Sequence, residues 1–252
     1  MLQLEKINCT SNGKTRLRVN NLSTKAGQLT GIVGPNGAGK TTLFNVISGE
    51  LRSNGRILLH DAPLNSWPAL QKARHMAVLS QSSQIAFAFT AHEVVALGLT
   101  PLSLNKRDAN LQIQTHMRMT DCLHFSGQNY LSLSGGERQR VQLARVLLQL
   151  SQAEKEPLLL LDEPTSAQDL GQQHSILELA RSLCKERHFG ILAILHDLNQ
   201  VVRYCDHCAL LSQGTVIQTG HPNEVLCEDS IERHWHYRPT RVALNGSATV
   251  FV

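Results

Sequence analysis

Apolar and polar residues alternate through roughly the first thirty positions, with Leu2, Leu4 and Ile7 sharing one face. The alternation breaks at Ser11-Asn12-Gly13, and a period of two interrupted by a Gly-containing turn predicts an antiparallel edge sheet. Leu29–Val33 reads as a buried strand that feeds a glycine-rich loop, after which a helix is expected from about Lys40. Residues 55–59 and 76–79 read as further short strands. Strand signals vanish from about residue 91 to 150. Helical spacing takes over there, in Val94 and Leu97 and later in Val141, Leu143, Val146, Leu147 and Leu150. Residues 158–161 and 191–195 are unbroken apolar runs, suited to the middle of a parallel sheet that is covered on both faces. Between them, residues 171–185 read as a helix closed by a turn at Arg187-His188-Phe189-Gly190.

Sheet, helical block and sheet again predict an α/β core with a helical insertion of about sixty residues. No repeat, low-complexity stretch or linker divides the 252 residues, so one domain with two lobes is expected: a core of residues 1–81 and 151–252, and a helical lobe of about 82–150. Composition adds little to this picture. Apolar residues make up 42% and charged residues 17%, as in ordinary soluble domains. The net charge of +4 is scattered, which argues against a nucleic-acid partner. No apolar run approaches the eighteen or so residues of a membrane span. Met1-Leu2-Gln3-Leu4-Glu5 lacks the basic start of a secretion signal, so a cytoplasmic location is expected, with any membrane attachment supplied by a partner. The six cysteines follow no framework spacing and read as reduced thiols. Cys205 and Cys208 have redox-motif spacing, but no second ligand pair follows at zinc-site distance.

Candidate chemistry begins at Gly34-Pro35-Asn36-Gly37-Ala38-Gly39-Lys40-Thr41. This is a G-x-x-x-x-G-K-T loop between an expected strand and an expected helix. Its glycines let several backbone N–H groups point at one anion, and the helix adds its positive end. In that pattern the Lys40 ammonium reaches the β- and γ-phosphates, the Thr41 hydroxyl binds Mg²⁺, and Thr42 donates to the α-phosphate. The motif points to a nucleoside triphosphatase without saying which kind.

Residues 158–161 end in Asp162-Glu163-Pro164. Adjacent acids at a strand end can cap the next helix. Beside a phosphate loop they instead suit Mg²⁺ binding through water by Asp162 and polarisation of the attacking water by Glu163 as general base. His196 ends the run 191–195 at the sheet edge where open α/β sheets bind ligands. One strand–helix–strand unit separates it from Asp162, which favours a contact with the γ-phosphate and the water.

Leu133-Ser134-Gly135-Gly136-Glu137 opens the helix that carries Val141 to Leu147. Locally, Ser134 and Glu137 form a capping box. The two glycines weaken the helix start but expose N–H groups to an anion. With this motif the chain resembles the nucleotide-binding subunits of the ATP-binding cassette (ABC) transporter family over nearly its whole length. The phosphate loop, Gln81, the LSGGE signature, Asp162-Glu163, the Ser166-Ala167-Gln168-Asp169 loop and His196 stand in family order.

That resemblance implies the ABC ATPase fold: a P-loop NTPase core, RecA-like, with an N-terminal antiparallel β subdomain and an inserted helical subdomain. It implies an ATP- and Mg²⁺-dependent homodimer in which Ser134, Gly135 and Gly136 of one subunit meet the γ-phosphate bound by the other. Gln81 would touch Mg²⁺ and water, and Asp169 would lie in a loop that contacts the second subunit. Gln168 stands where leucine is common and would face that interface. No aromatic residue precedes Phe44 to stack on adenine. An aliphatic or basic side chain, such as Lys14 or Arg16, is the expected platform, giving modest discrimination between ATP and GTP.

Within the family the likeness is greatest to ATPases of the heme, ferric-siderophore and cobalamin importers, and residues 120–150 are especially similar to hemin-import ATP-binding proteins. The resemblance then implies two transmembrane permeases docking near residues 86–92, a periplasmic substrate-binding protein, a place on the cytoplasmic face of the inner membrane, and no direct contact with the cargo. Two other classes compete. A soluble, non-transport relative would usually carry two cassettes or a long coiled coil. A regulatory module that does not hydrolyse ATP would be expected to lack Glu163 or His196. His234-Trp235-His236 invites a heme or metal reading, but without further ligands it reads as part of a C-terminal amphipathic helix.

Overall fold

The computed structural model describes the chain except residues 12, 82–84, 86, 167 and 245–247. The apex of the first expected turn, Ala86 of the expected docking stretch and Ala167 therefore lie outside the described residues. In chain order the strands and helices are β1 (Leu2–Ser11), β2 (Lys14–Thr24), β3 (Leu29–Val33), α1 (Lys40–Ser48), β4 (Asn54–Leu59), β5 (Ala62–Pro63), α2 (Ala69–His75) and β6 (Met76–Leu79). Three helices follow: α3 (Ala91–Ala96), α4 (Lys106–Met119) and α5 (Gly135–Gln149). The chain then alternates through β7 (Leu158–Asp162), α6 (Leu170–Arg187), β8 (Gly190–Ile194), α7 (Leu198–Tyr204), β9 (His207–Ser212) and β10 (Thr215–Gly220). It ends with α8 (Pro222–Val225), α9 (Glu228–Trp235), β11 (Arg241–Leu244) and β12 (Ala248–Phe251).

Among the described residues, ten strands share one sheet in the order β5-β4-β1-β2-β10-β9-β3-β8-β7-β6. β9, β3, β8, β7 and β6 run parallel, while β4, β1 and β2 form the antiparallel edge that the alternation predicted. Every residue of β3, β7 and β8 is buried, because both faces of the sheet are covered. Successive side chains divide between two cores. Leu159, Leu161, Ile191 and Ala193 join α5 and α6 on one face, and Leu158, Leu160, Leu192 and Ile194 join α1 and the antiparallel edge on the other. Each fully buried leucine contributes about 1.5–3 kcal/mol. Four of them in a row anchor β7 firmly enough to hold a carboxylate, Asp162, at its end.

A third cluster packs α3, α4 and α5 through Val94, Val95, Ile113, Met117, Val141, Ala144 and Leu148. The opposite stripe of α5, at Leu143, Val146, Leu147 and Leu150, belongs to the first core. One helix is thus buried on two sides, and its first turn is held relative to both clusters.

The expected turn at 187–190 is tighter than its sequence suggests. α6 continues through Arg187, His188 takes the left-handed conformation at φ 55°, and Gly190 already belongs to β8. At the other end of the chain, Asn199 of α7 pairs with both backbone groups of Phe251, donating to its oxygen at 3.2 Å and accepting from its nitrogen at 2.7 Å.

Candidate active site

The phosphate loop leaves β3 through Gly34, whose φ is 151° and where an added Cβ would lie 2.1 Å from the Leu211 carbonyl oxygen. Only glycine fits there. Gly39 caps α1 in the left-handed conformation, so the chain turns into the helix with Lys40 at its first position. Lys40 is buried and donates to the carbonyl oxygens of Gly34 at 2.8 Å and Pro35 at 3.1 Å. Burial lowers its pKa, opposed by the charges of Glu163 and Asp162. A cavity of about 290 Å³ lies over the loop, lined by residues 36–42 with Arg16, Glu163 and His196. Of the two basic residues expected near adenine, Arg16 is on this wall and Lys14 is not.

Asp162 ends β7 with 6% of its surface exposed. Its pKa is raised from the usual 3.8 to about 6, first by burial and then by Glu163, against the pull of Lys40 and His196. Its Oδ1 atom is buried and has no hydrogen-bond partner. An unpartnered buried carboxylate oxygen is costly. A hard cation that prefers oxygen ligands would satisfy it, and Thr41, which carries a hydroxyl, lines the neighbouring cavity. The donor set therefore fits Mg²⁺.

Glu163 follows with φ 51°, a left-handed conformation that costs a residue with a Cβ about 1–2 kcal/mol. Its carbonyl oxygen accepts from Gln139 Nε2 at 3.2 Å, Ser166 N at 3.1 Å and Ser166 Oγ at 2.8 Å, which hold the strained peptide. The carboxylate is bracketed. His196 Nε2 donates to Oε1 at 2.7 Å, and Gln81 Nε2 donates to Oε2 at 2.7 Å. Residues from β7, from the end of β6 and from the end of β8 thus meet at one carboxylate beside Lys40.

The signature turn lies elsewhere. Ser134 caps α5 in the expected box, donating its N–H to Glu137 Oε2 at 2.7 Å and accepting from Glu137 N at 3.4 Å. Ser134 and Gly135 are exposed and border neither cavity at the phosphate loop. Asp169 is also exposed and caps α6 through Gln172 N at 2.9 Å. Within one chain the fold does not bring Ser134, Gly135, Gly136 or Asp169 to Lys40.

Two features escaped sequence reasoning. Gln168 was expected at a subunit interface, yet its amide donates within the chain, to Gly136 O at 3.0 Å and Gln139 Oε1 at 2.9 Å. A larger cavity of about 930 Å³ shares residues 34–38 and His196 with the site, and its far wall includes residues 233–236 at the end of α9. His234 and Trp235 lie in or at the end of that amphipathic helix, with His236 as its left-handed cap. Cys205 and Cys208 are buried, and burial pushes the Cys208 thiol up to about 12.

The family model for ABC transporter matches residues 17–166, more than half of the chain, and that span includes the phosphate loop, Gln81, the signature and Glu163. The chain belongs to the ABC transporter family. It is an ATP hydrolase of that family. Hemin import ATP-binding protein HmuV of Shewanella denitrificans is 44% identical over 249 residues, covering 98% of this chain and 98% of that protein. The protein of the same name from Pseudomonas aeruginosa is 44% identical over 228 residues, 90% of this chain and 89% of the relative. Among solved ABC structures, cbiO1 from Clostridium perfringens, part of the ABC transporter complex cbiONQ, matches with a TM-score of 0.78 at 29% identity over 92% of each chain.

Proposed function

We propose that this chain is the ATP-hydrolysing subunit of a bacterial hemin importer. The observation that carries the catalytic half is Glu163, held between His196 and Gln81 beside a buried lysine and an unpartnered Asp162 oxygen. The hemin half rests on the relatives, which bear that name over nearly their full length.

In this reading residues 34–39 and Lys40, Thr41 and Thr42 hold the triphosphate. Asp162, Thr41 and Gln81 hold Mg²⁺, which when bound neutralises charge on the β- and γ-phosphates. Glu163 accepts a proton from the attacking water, while His196 and Gln81 fix its carboxylate and the water's approach. Ser134, Gly135, Gly136 and Asp169 act on the nucleotide of a second copy, so the working unit is a homodimer, with residues 82–150 forming the lobe that carries the signature. The exposure of the signature turn, away from its own phosphate loop, supports this arrangement. Two transmembrane permeases, which hold this chain at the cytoplasmic face of the inner membrane, and a periplasmic hemin-binding protein complete the importer. No helix among the described residues is long and apolar enough to cross a membrane. In this reading the permeases make the path, and this chain does not touch the cargo.

The test is uptake in a strain lacking the chain, complemented with the unaltered protein or with Glu163→Gln, and supplied separately with hemin, a ferric siderophore and cobalamin. Hemin uptake should return only with the unaltered protein. The purified variant should bind ATP normally and turn over at least about 10²-fold more slowly, as for loss of a general base. Recovery of siderophore or cobalamin uptake alone would overturn the cargo. Full activity of the variant would overturn the base.

A further inference from the structure

The hydrogen bonds around Gln168 form a directed chain. Gln168 Nε2 donates to Gly136 O in the first turn of α5 and also to Gln139 Oε1. An amide that accepts at its oxygen must turn its NH₂ the other way. Gln139 Nε2 accordingly donates to the carbonyl oxygen of Glu163 at 3.2 Å. A second set of bonds behind the site starts from the main chain of Gln168 and not from its amide. Gln173 donates to Gln168 O at 3.1 Å, and Gln200 donates to Gln173 Oε1 at 2.8 Å. Thr165 donates in turn to Gln200 Oε1 at 3.3 Å. Gln200 is buried in α7, the helix that begins just after His196.

We infer that Gln168 is a positioning residue for hydrolysis: it sets the amide orientation of Gln139 and so ties the first turn of the signature helix to the strained Glu163 peptide of the same chain. Glu163 sits in a left-handed backbone conformation, and Gln139 supplies one of the three hydrogen bonds to its carbonyl oxygen. If Gln139 turns over, its oxygen faces the Glu163 carbonyl, and repulsion replaces one of three restraints. The carboxylate is then free to leave the position between His196 and Gln81. Seating of the signature turn and alignment of Glu163 thus move together. The inference rests on the proposed role of Glu163 as base.

A double-mutant cycle on the full-length chain tests it, reading ATP hydrolysis, KM for ATP and thermal melting. Gln168→Met keeps the length of the side chain and removes the donor without adding a charge. It should lower kcat roughly 3- to 10-fold, the range of one neutral hydrogen bond, with KM and melting temperature unchanged. Gln139→Leu should lower kcat at least as much, and the double variant should be no worse than Gln139→Leu alone, since Gln168 acts through Gln139. Gln168→Lys, which restores a donor, should recover part of the lost rate. Additive losses, a normal kcat for Gln168→Met, or a loss confined to melting temperature would overturn the relay while leaving the ATPase intact. An unaltered chain that hydrolyses no ATP would overturn the catalytic reading and the relay together.

Discussion

Asp162→Asn should make the nucleotide-free protein more stable while abolishing its work. The folded state raises the Asp162 pKa from 3.8 to about 6. Between those values the folded chain keeps a proton that the unfolded chain has lost, so Asp162 lowers stability as pH rises through that window. At 1.36 kcal/mol per pKa unit, the full penalty above pH 6 is about 3 kcal/mol, and at pH 5 linkage leaves about 1.6 kcal/mol. Asparagine keeps the shape and carries no such penalty. Part of the gain is lost again, because Asp162 also favours the charged form of buried Lys40. A net gain of about 1–3 kcal/mol at pH 8 is therefore expected, roughly halved at pH 5. Urea unfolding of both proteins at the two pH values in EDTA measures it directly. Adding Mg²⁺ and ATP should stabilise the unaltered protein more than the variant, narrowing the difference. An asparagine variant no more stable at pH 8, or with a gain that does not shrink towards pH 5, would refute the assignment of a buried, cation-ready carboxylate.

Ser134→Arg should block hydrolysis while leaving ATP binding by dilute, monomeric protein near normal, because the exposed signature turn does not border its own phosphate loop; loss of monomer binding in a titration would rule out a site shared between copies. With Arg16 as the only basic residue of the expected pair on the cavity wall, kcat/KM for ATP and GTP should agree within about tenfold. Arg16→Trp should tighten ATP binding by about 1–3 kcal/mol, and a strong native preference for ATP would contradict this account of the base platform.

The parts of the fold that were legible in the sequence are those where one physical demand dominates. The unbroken runs at 158–161 and 191–195 had to be covered on both faces, and the structure buries them together with the strand at 29–33. Around the site, Lys40, Asp162, Glu163 and His196 were readable because phosphate and water chemistry restricts which side chains can stand at a strand end. The C-terminal third was less legible. β10 meets β2 at the pair of Thr215 and Arg18 and has no buried residue along its length, and β12 is tied to α7 by Asn199 bonding to the Phe251 backbone. The strain at Glu163 and the amide chain through Gln168 were not readable at all. Glutamine has no spacing rule, and its value here comes from partners 32 and 29 residues away. A residue that departs from the family's usual leucine reads, in the sequence, as a mild change facing the subunit interface. In the fold it orders an amide, the amide holds a carbonyl, and the carbonyl belongs to the residue whose carboxylate must meet the water. The departure therefore changes how firmly the base is held and leaves the chemistry of the base itself unchanged, which is why kcat is expected to register it while KM is not.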